Sequence, residues 1–307
     1  MRDNIRDNIM PDCNLLESCY DEQSSQHTID KTEESIIIMT RPDQTRPDQT
    51  RPDQTAIHGL LRRCKDLARK VIHSKTLRRL RYGRLWRNHI NLFRNKHGLE
   101  IGGPSGIFTP IYDKCASCDG VNFSTDTVWW TKGESSSYTY SGKTLGKMYI
   151  ADAVDMSCIE SSQYDFVMSS NNLEHLANPI KALTEFLRVL KPGGIIVILV
   201  PDKRYTFDHR REYTSFEHML ADYENGTQET DLTHLPEILE LHDLAMDPPA
   251  GDLESFRRRS EHNYENRCLH QHVFCEDSLR KIFAYLGLEV LGFRECFQNY
   301  MILGRKV

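Results

Sequence analysis

From Gly98 onward the chain alternates short apolar runs with amphipathic stretches, and this alternation restricts the fold more than any other feature. Leu99–Ile101, Met148–Ile150, Phe166–Ser169 and Ile195–Val200 read as strands. The last is apolar at every position, as a strand covered on both faces must be. Helix is predicted after Pro179, where Ala182, Leu183, Phe186, Leu187 and Leu190 recur at helical spacing. Lys191-Pro192-Gly193-Gly194 then stops the helix and turns the chain into the next strand. A helix over Asp277–Tyr285 and two closely spaced strands, Leu288–Phe293 and Tyr300–Gly304, suit an antiparallel hairpin at a sheet edge. Apolar strands separated by amphipathic helices imply an α/β fold built on a mostly parallel sheet with helices on both faces. The long segment 206–276 interrupts this pattern where a strand ends. It is expected to be an inserted helical cap over a substrate.

The N-terminal third follows other rules. Residues 1–55 carry Arg-Asp-Asn-Ile twice and Arg-Pro-Asp-Gln-Thr three times. A five-residue polar repeat with proline has no apolar face to offset its ordering entropy, so a disordered tail is expected there. Residues 56–97 read as a basic helical extension. Over 56–96 there are 13 Lys or Arg against the single acid Asp66, although the whole chain of 307 residues carries a net charge of −5. Ile57, Leu60, Leu61, Leu67 and Val71 begin an apolar stripe opposite the arginines. The favoured reading is a stripe that packs on the remaining domain while the arginines sit in water. Docking on a membrane surface or on nucleic acid is the less favoured reading. No apolar run is long enough to span a bilayer, and the acidic N-terminus lacks a signal-peptide core. Nine irregularly spaced cysteines do not form a disulfide framework pattern, which points to a reducing cytoplasm.

Two segments carry the chemistry. Leu99-Glu100-Ile101-Gly102-Gly103-Pro104-Ser105-Gly106 places an acid two positions before a glycine-rich turn, where backbone can approach a ligand closely. Gly-x-Gly-x-x-Gly is absent, because Pro104 holds the centre of the turn, and this argues against a nicotinamide site. The second segment runs from Tyr164-Asp165-Phe166-Val167 through Leu173-Glu174-His175 and Asn178-Pro179 to Arg188-Val189-Leu190-Lys191-Pro192-Gly193-Gly194. Together they resemble class I S-adenosylmethionine (SAM)-dependent methyltransferases of type 11. A subgroup resemblance adds Pro201-Asp202-Lys203-Arg204-Tyr205-Thr206-Phe207-Asp208 with Arg211, Glu217-His218, Asp222-Tyr223 and Cys268-Leu269-His270-Gln271-His272-Val273-Phe274. The likeness covers about 98–307. It implies a Rossmann-like seven-stranded sheet and SAM as cofactor.

On that resemblance Glu100 is expected to hold the cationic amino-acid part of SAM, directly or through water, with Gly102, Gly103 and Gly106 forming the turn. Asp119, 19 residues beyond Glu100, is nominated for the ribose. Asp152 with Ala153 is nominated for the adenine amine, with Asp155 as a rival, and Ser169 and Ser170 lie beside the expected methyl group. The subgroup pattern has a histidine where this chain has Asn171. Methyl transfer needs a base only if the acceptor must lose a proton. His209, His270 and His272 are the candidates, with packing the blander role for each. Cys268, His270, His272 and Cys275 lack zinc-finger spacing, so no metal is expected. The leading reading is a methyltransferase acting on an O or N acceptor of a small molecule or glycan-type substrate. The rival is a SAM-binding interaction protein without turnover. Oligomeric state stays open.

Overall fold

The structure, a computed structural model, describes residues 82–124 and 136–307. The expected tail over 1–55 and most of the basic extension, with its membrane or nucleic-acid reading, lie outside those residues. The unit that runs from Trp86 to Val307 holds every strand.

Eight strands form one sheet: β1 (His97–Ile101), β2 (Ser117–Asn122), β3 (Ser137–Tyr140), β4 (Lys143–Ile150), β5 (Tyr164–Ser170), β6 (Leu190–Pro201), β7 (Leu288–Cys296) and β8 (Asn299–Lys306). Their order is β3-β4-β2-β1-β5-β6-β8-β7. β4, β2, β1, β5 and β6 run parallel, and β8 lies antiparallel between β6 and β7. This is the expected Rossmann-like, mostly parallel sheet. The added strand is β3, which pairs antiparallel with β4 in a Ser- and Tyr-rich stretch that carries no apolar run. β2 was equally hard to read, because Ser117-Cys118-Asp119-Gly120 is not an apolar strand core.

From Thr109 on, the described residues hold seven α-helices: α1 (Thr109–Tyr112), α2 (Pro179–Val189), α3 (Phe216–Asn225), α4 (Leu235–Leu241), α5 (Leu253–Glu261), α6 (Asn263–Asn266) and α7 (Glu276–Tyr285). α2 starts because Asn178 accepts the Lys181 N–H and Pro179 supplies a preset φ at the first helical position. It stops one residue before the predicted end. Leu190 is already extended and pairs with Tyr164, and the register then shifts so that Phe166 meets Ile195. The Lys191–Gly194 turn is thus a bulge at the start of β6.

One face of the sheet is covered by α2, α3 and α7. Leu99, Ile101, Val167, Ile196 and Ile198 pack there with Ile180, Leu183, Phe186, Met219, Ile282 and Phe283. Strand alternation sends Phe166 to the other face. There Phe93 meets it edge-on, with ring centroids 5.2 Å apart, and Trp86 packs on Phe93 and Phe108. The indole N–H of Trp86 donates to the Ile107 carbonyl at 2.9 Å. Among the described residues this second face carries aromatic rings and short turns. Each buried ring contributes roughly 1.5–3 kcal/mol. The insertion divides in two. α3 belongs to the main core through Met219, whereas Ile238, Ala250, Phe256 and Leu269 make a small core of their own. No helix among the described residues is long and apolar enough to cross a membrane.

Candidate active site

The chain leaves β1 for β2 and β4 on one side, then crosses to β5 and β6 on the other. The carboxyl ends of β1 and β5 therefore border the crevice in which open α/β sheets bind ligands. Gly102 follows β1 with φ +79°, and a Cβ there would lie 2.9 Å from the Asn172 side chain. Asn171 and Asn172 follow β5. Their Oδ1 and Nδ2 atoms, respectively, are buried without hydrogen-bond partners among the described residues. Asn171 adopts φ +49°, a left-handed conformation that asparagine tolerates better than most residues. Gly103 is obligatory for another reason, since a Cβ would lie 2.2 Å from Tyr138 Oη and 2.3 Å from Glu100.

Glu100 is wholly buried. Its Oε1 accepts the Ser105 N–H at 2.9 Å, and its Oε2 accepts the hydroxyls of Tyr112 and Tyr138 at 2.5 and 2.7 Å. Burial and the neighbouring Glu100 charge hold both tyrosines protonated. The carboxylate thus shapes the turn through the Ser105 N–H and the two tyrosine hydroxyls. Gly106 is also buried and opens a short 3-10 turn. Substituting Gly103→Ala should break this arrangement. We expect the variant to lose any SAM-induced thermal stabilisation, and an unchanged shift would show that the turn accommodates a side chain.

Asp119 does not stand where the ribose role requires. It lies inside β2 opposite Leu99, and its carboxylate accepts the Lys147 N–H and the Tyr164 hydroxyl, each at 2.8 Å. The residue at the carboxyl end of β2 is Asn122, whose amide donates to the Gly103 carbonyl at 3.3 Å, followed by Phe123. A count of residues from Glu100 could not find it, because the β1–β2 connection holds only short turns. Asp152 does follow β4, but Arg267 Nη2 holds it at 2.8 Å. The same guanidinium binds Glu229 at 2.5 Å and lies 4.2 Å from the Phe123 ring centroid. Ala153 is buried in the main core, and Asp155 is exposed. Ser169 donates to the Ile101 carbonyl at 3.1 Å and so ties the ends of β5 and β1 together, while Ser170 closes β5.

A small pocket of about 10 Å³ lies past the carboxyl end of β6, lined by Glu174, Pro201, Thr206, Asp208, His270 and His272. Asp208 Oδ2 makes a short contact to His270 Nδ1. Arg211 binds Asp208 Oδ1 at 3.2 Å and donates to the His270 and Gln271 carbonyls at 2.7 and 3.2 Å. Burial alone would lower the pKa of His270, but the charge and hydrogen bond of Asp208 outweigh it and raise the value. Burial opposes ionisation of Asp208, yet His270 and Arg211 hold it below the usual carboxylate range. Glu174 sits behind this pair with both oxygens lacking hydrogen bonds among the described residues, and burial lifts its pKa to about 7. His175 meets His270 edge-on at 4.7 Å, and burial keeps it neutral.

The three nominated histidines separate. His270 faces Asp208 in the pocket. His272 also lines the pocket, but its ring turns to Ala177, His218 and His234, and burial drives its pKa down to about 3. His209 is partly exposed and pairs with Asp243 at 2.9 Å, outside the pocket. The segment from Arg267 to Cys275 begins in a left-handed residue and is not a strand, so residues 270 and 272 need not share a face. Asp208 and Arg211 entered the sequence reading only as parts of a motif. Their separation of three residues was the available signal, and it needed the distant His270 to acquire meaning.

Comparison with known proteins adds the family. The family model for the methyltransferase domain matches residues 73–292. A sterol 4-C-methyltransferase of Caenorhabditis elegans, strm-1, is 28% identical over 136 residues, which are 42% of this chain and 39% of that protein. The chain thus spans well under half the length of that curated relative. Among solved structures, a SAM-dependent methyltransferase from Archaeoglobus fulgidus is 18% identical with a TM-score of 0.40, over 75% of this chain and 94% of that one. A putative one from Listeria monocytogenes is 16% identical with a TM-score of 0.42, over 72% and 97%. The family match takes in the glycine-rich turn, the carboxyl ends of β1 and β5 and the whole insertion, and on its extent the chain belongs to the methyltransferase-domain family.

Proposed function

We propose that the protein transfers a methyl group from SAM to an oxygen or nitrogen acceptor on a small molecule or glycan-type substrate. The observation that carries this reading is the buried Asp208–His270 pair, which lines a pocket together with Glu174, after β5, and Pro201, at the carboxyl end of β6. SAM supplies an electrophilic methyl group, so the protein's task is to bind, orient and exclude water. The crevice fits such a ligand. Gly102 and Gly103 allow close backbone approach, and Asn171 Oδ1 and Asn172 Nδ2 offer unused acceptor and donor atoms. Asn122, Phe123 and Asp152 border the side where a nucleoside would lie. A hydroxyl or ammonium acceptor must lose a proton. His270 takes it at Nε2, while Asp208 holds Nδ1 and stabilises the imidazolium that results.

The rival reading without turnover rests on Asn171 in place of the subgroup's histidine. A thermal-shift titration with SAM and its demethylated product, followed by incubation with labelled SAM and hydroxyl, amine and carbon-acid acceptors, separates the readings. Binding at about 100 times the dissociation constant adds roughly 2.7 kcal/mol, a shift of several degrees in a domain of this size. The shift should shrink in Asn172→Ala. No shift with either ligand would overturn the proposal. Binding without label transfer to any acceptor favours the rival, and transfer only to carbon acids replaces the O or N acceptor.

A further inference from the structure

The chemistry proposed for the pocket leaves unused a second cluster of side chains. His218 and Asp222 stand one turn apart on α3, His234 precedes α4, and His272 comes from the segment before α7. One donor atom from each of the four lies within 4.8 Å of every other. His218 Nε2 is 3.2 Å from His234 Nε2 and 3.4 Å from Asp222 Oδ2, and Asp222 Oδ2 is 3.8 Å from His272 Nε2. Ligand atoms about 2.0–2.1 Å from a tetrahedral ion are separated by about 3.3 Å, and these spacings bracket that value.

Hydrogen bonding within the protein does not satisfy the cluster. Asp222 Oδ1 accepts from Thr227 Oγ1 at 3.1 Å, but the buried Oδ2 has no hydrogen-bond partner among the described residues. His272 Nε2, 3.8 Å from Asp222 Oδ2, also lies 3.2 Å from the Ala177 carbonyl, a contact it gives up on binding an ion. An orphaned atom such as Asp222 Oδ2 is costly in a buried site. We propose that His218, Asp222, His234 and His272 bind one divalent transition-metal ion of the zinc class, which ties α3, the turn before α4 and the segment before α7 together beside the pocket.

The donor set selects the ion. Three imidazoles and one carboxylate suit zinc, whereas magnesium and calcium prefer oxygen ligands throughout. Four protein ligands close the coordination sphere, as in structural rather than catalytic zinc sites. Ligating histidines must be neutral, so zinc affinity falls as pH drops. Glu237 Oε2, 3.9 Å from His234 Nδ1, can orient that ring from outside. The site is independent of the methyl-transfer reading, since none of its four residues is needed to bind SAM or to accept a proton.

The test uses the full chain, stripped with a chelator and titrated with zinc by calorimetry and with cobalt(II) by visible absorption. We expect one equivalent of zinc, a rise in Tm on loading, and the intense absorption of tetrahedral cobalt. His218→Ala, at an exposed position that leaves folding undisturbed, should weaken zinc by at least the roughly 10–100-fold that loss of an outer-sphere partner costs. His218→Ala with His234→Ala should abolish the cobalt spectrum and the Tm rise while the far-UV circular dichroism is retained. No zinc binding by the wild type overturns the site. So does one equivalent bound unchanged by the double variant, which would place the ion elsewhere.

Discussion

Replacing Arg211 with alanine is expected to lower the unfolding free energy by about 3–5 kcal/mol, the usual cost of removing one partner from a buried ion pair. Arg211 is only 1% exposed and fully used: it reaches Asp208, Glu237 and two backbone carbonyls of the 270–271 segment. Without it Asp208 retains a buried charge compensated by His270 alone, and both carbonyls lose their donor. In a domain of this size roughly 2–4 °C of Tm is lost per kcal/mol, so the melting temperature should fall by about 6–20 °C. The same substitution in an Asp208→Asn background should cost measurably less, because the buried charge is gone. Equal costs in the two backgrounds would mean that Arg211 stabilises through packing and carbonyl contacts only.

The second large effect is on turnover. His270→Ala should lower methyl transfer by about 10²–10⁴-fold, the range for loss of a positioned general base. The thermal shift produced by SAM should persist, since Gly102, Asn171 and Asn172 are untouched. Asp208→Asn should act in the same direction by leaving His270 without the charge that raises its proton affinity. His209→Ala should leave the rate unchanged, because that ring pairs with Asp243 at the surface. A His270→Ala variant with normal turnover, measured by label transfer at saturating SAM, would remove the base from the mechanism.

The sheet was legible wherever burial on both faces forced a strand to be apolar. β5, β6 and β8 were readable for that reason, as was α2, whose Asn-Pro start is a local signal. β2 and β3 were not, since they lie at a part of the sheet where serine, glycine and tyrosine suffice. The site divides the same way. Glu100 and the glycines were found because a tight turn leaves a local trace. The tyrosines that enclose Glu100 were not, because Tyr138 comes from a strand 38 residues away. Asp119 was nominated by distance along the chain, and the register of β2 against β1 moved the strand end to Asn122.

By itself the sequence determined the apolar strands, the helix after Pro179, the glycine-rich turn and the residue types available for chemistry. All of these depend on backbone preference and hydrophobic period over a few residues. Only the tertiary structure decided which of those residues meet. It enclosed Glu100 between two tyrosines, separated His270 from His272 by turning their rings to different neighbours, and left His209 at the surface. It also brought Asp208 and Arg211 to a histidine about sixty residues away. Contacts of that range are set by how the insertion folds back on the carboxyl ends of β5 and β6, a consequence of packing that no local pattern encodes.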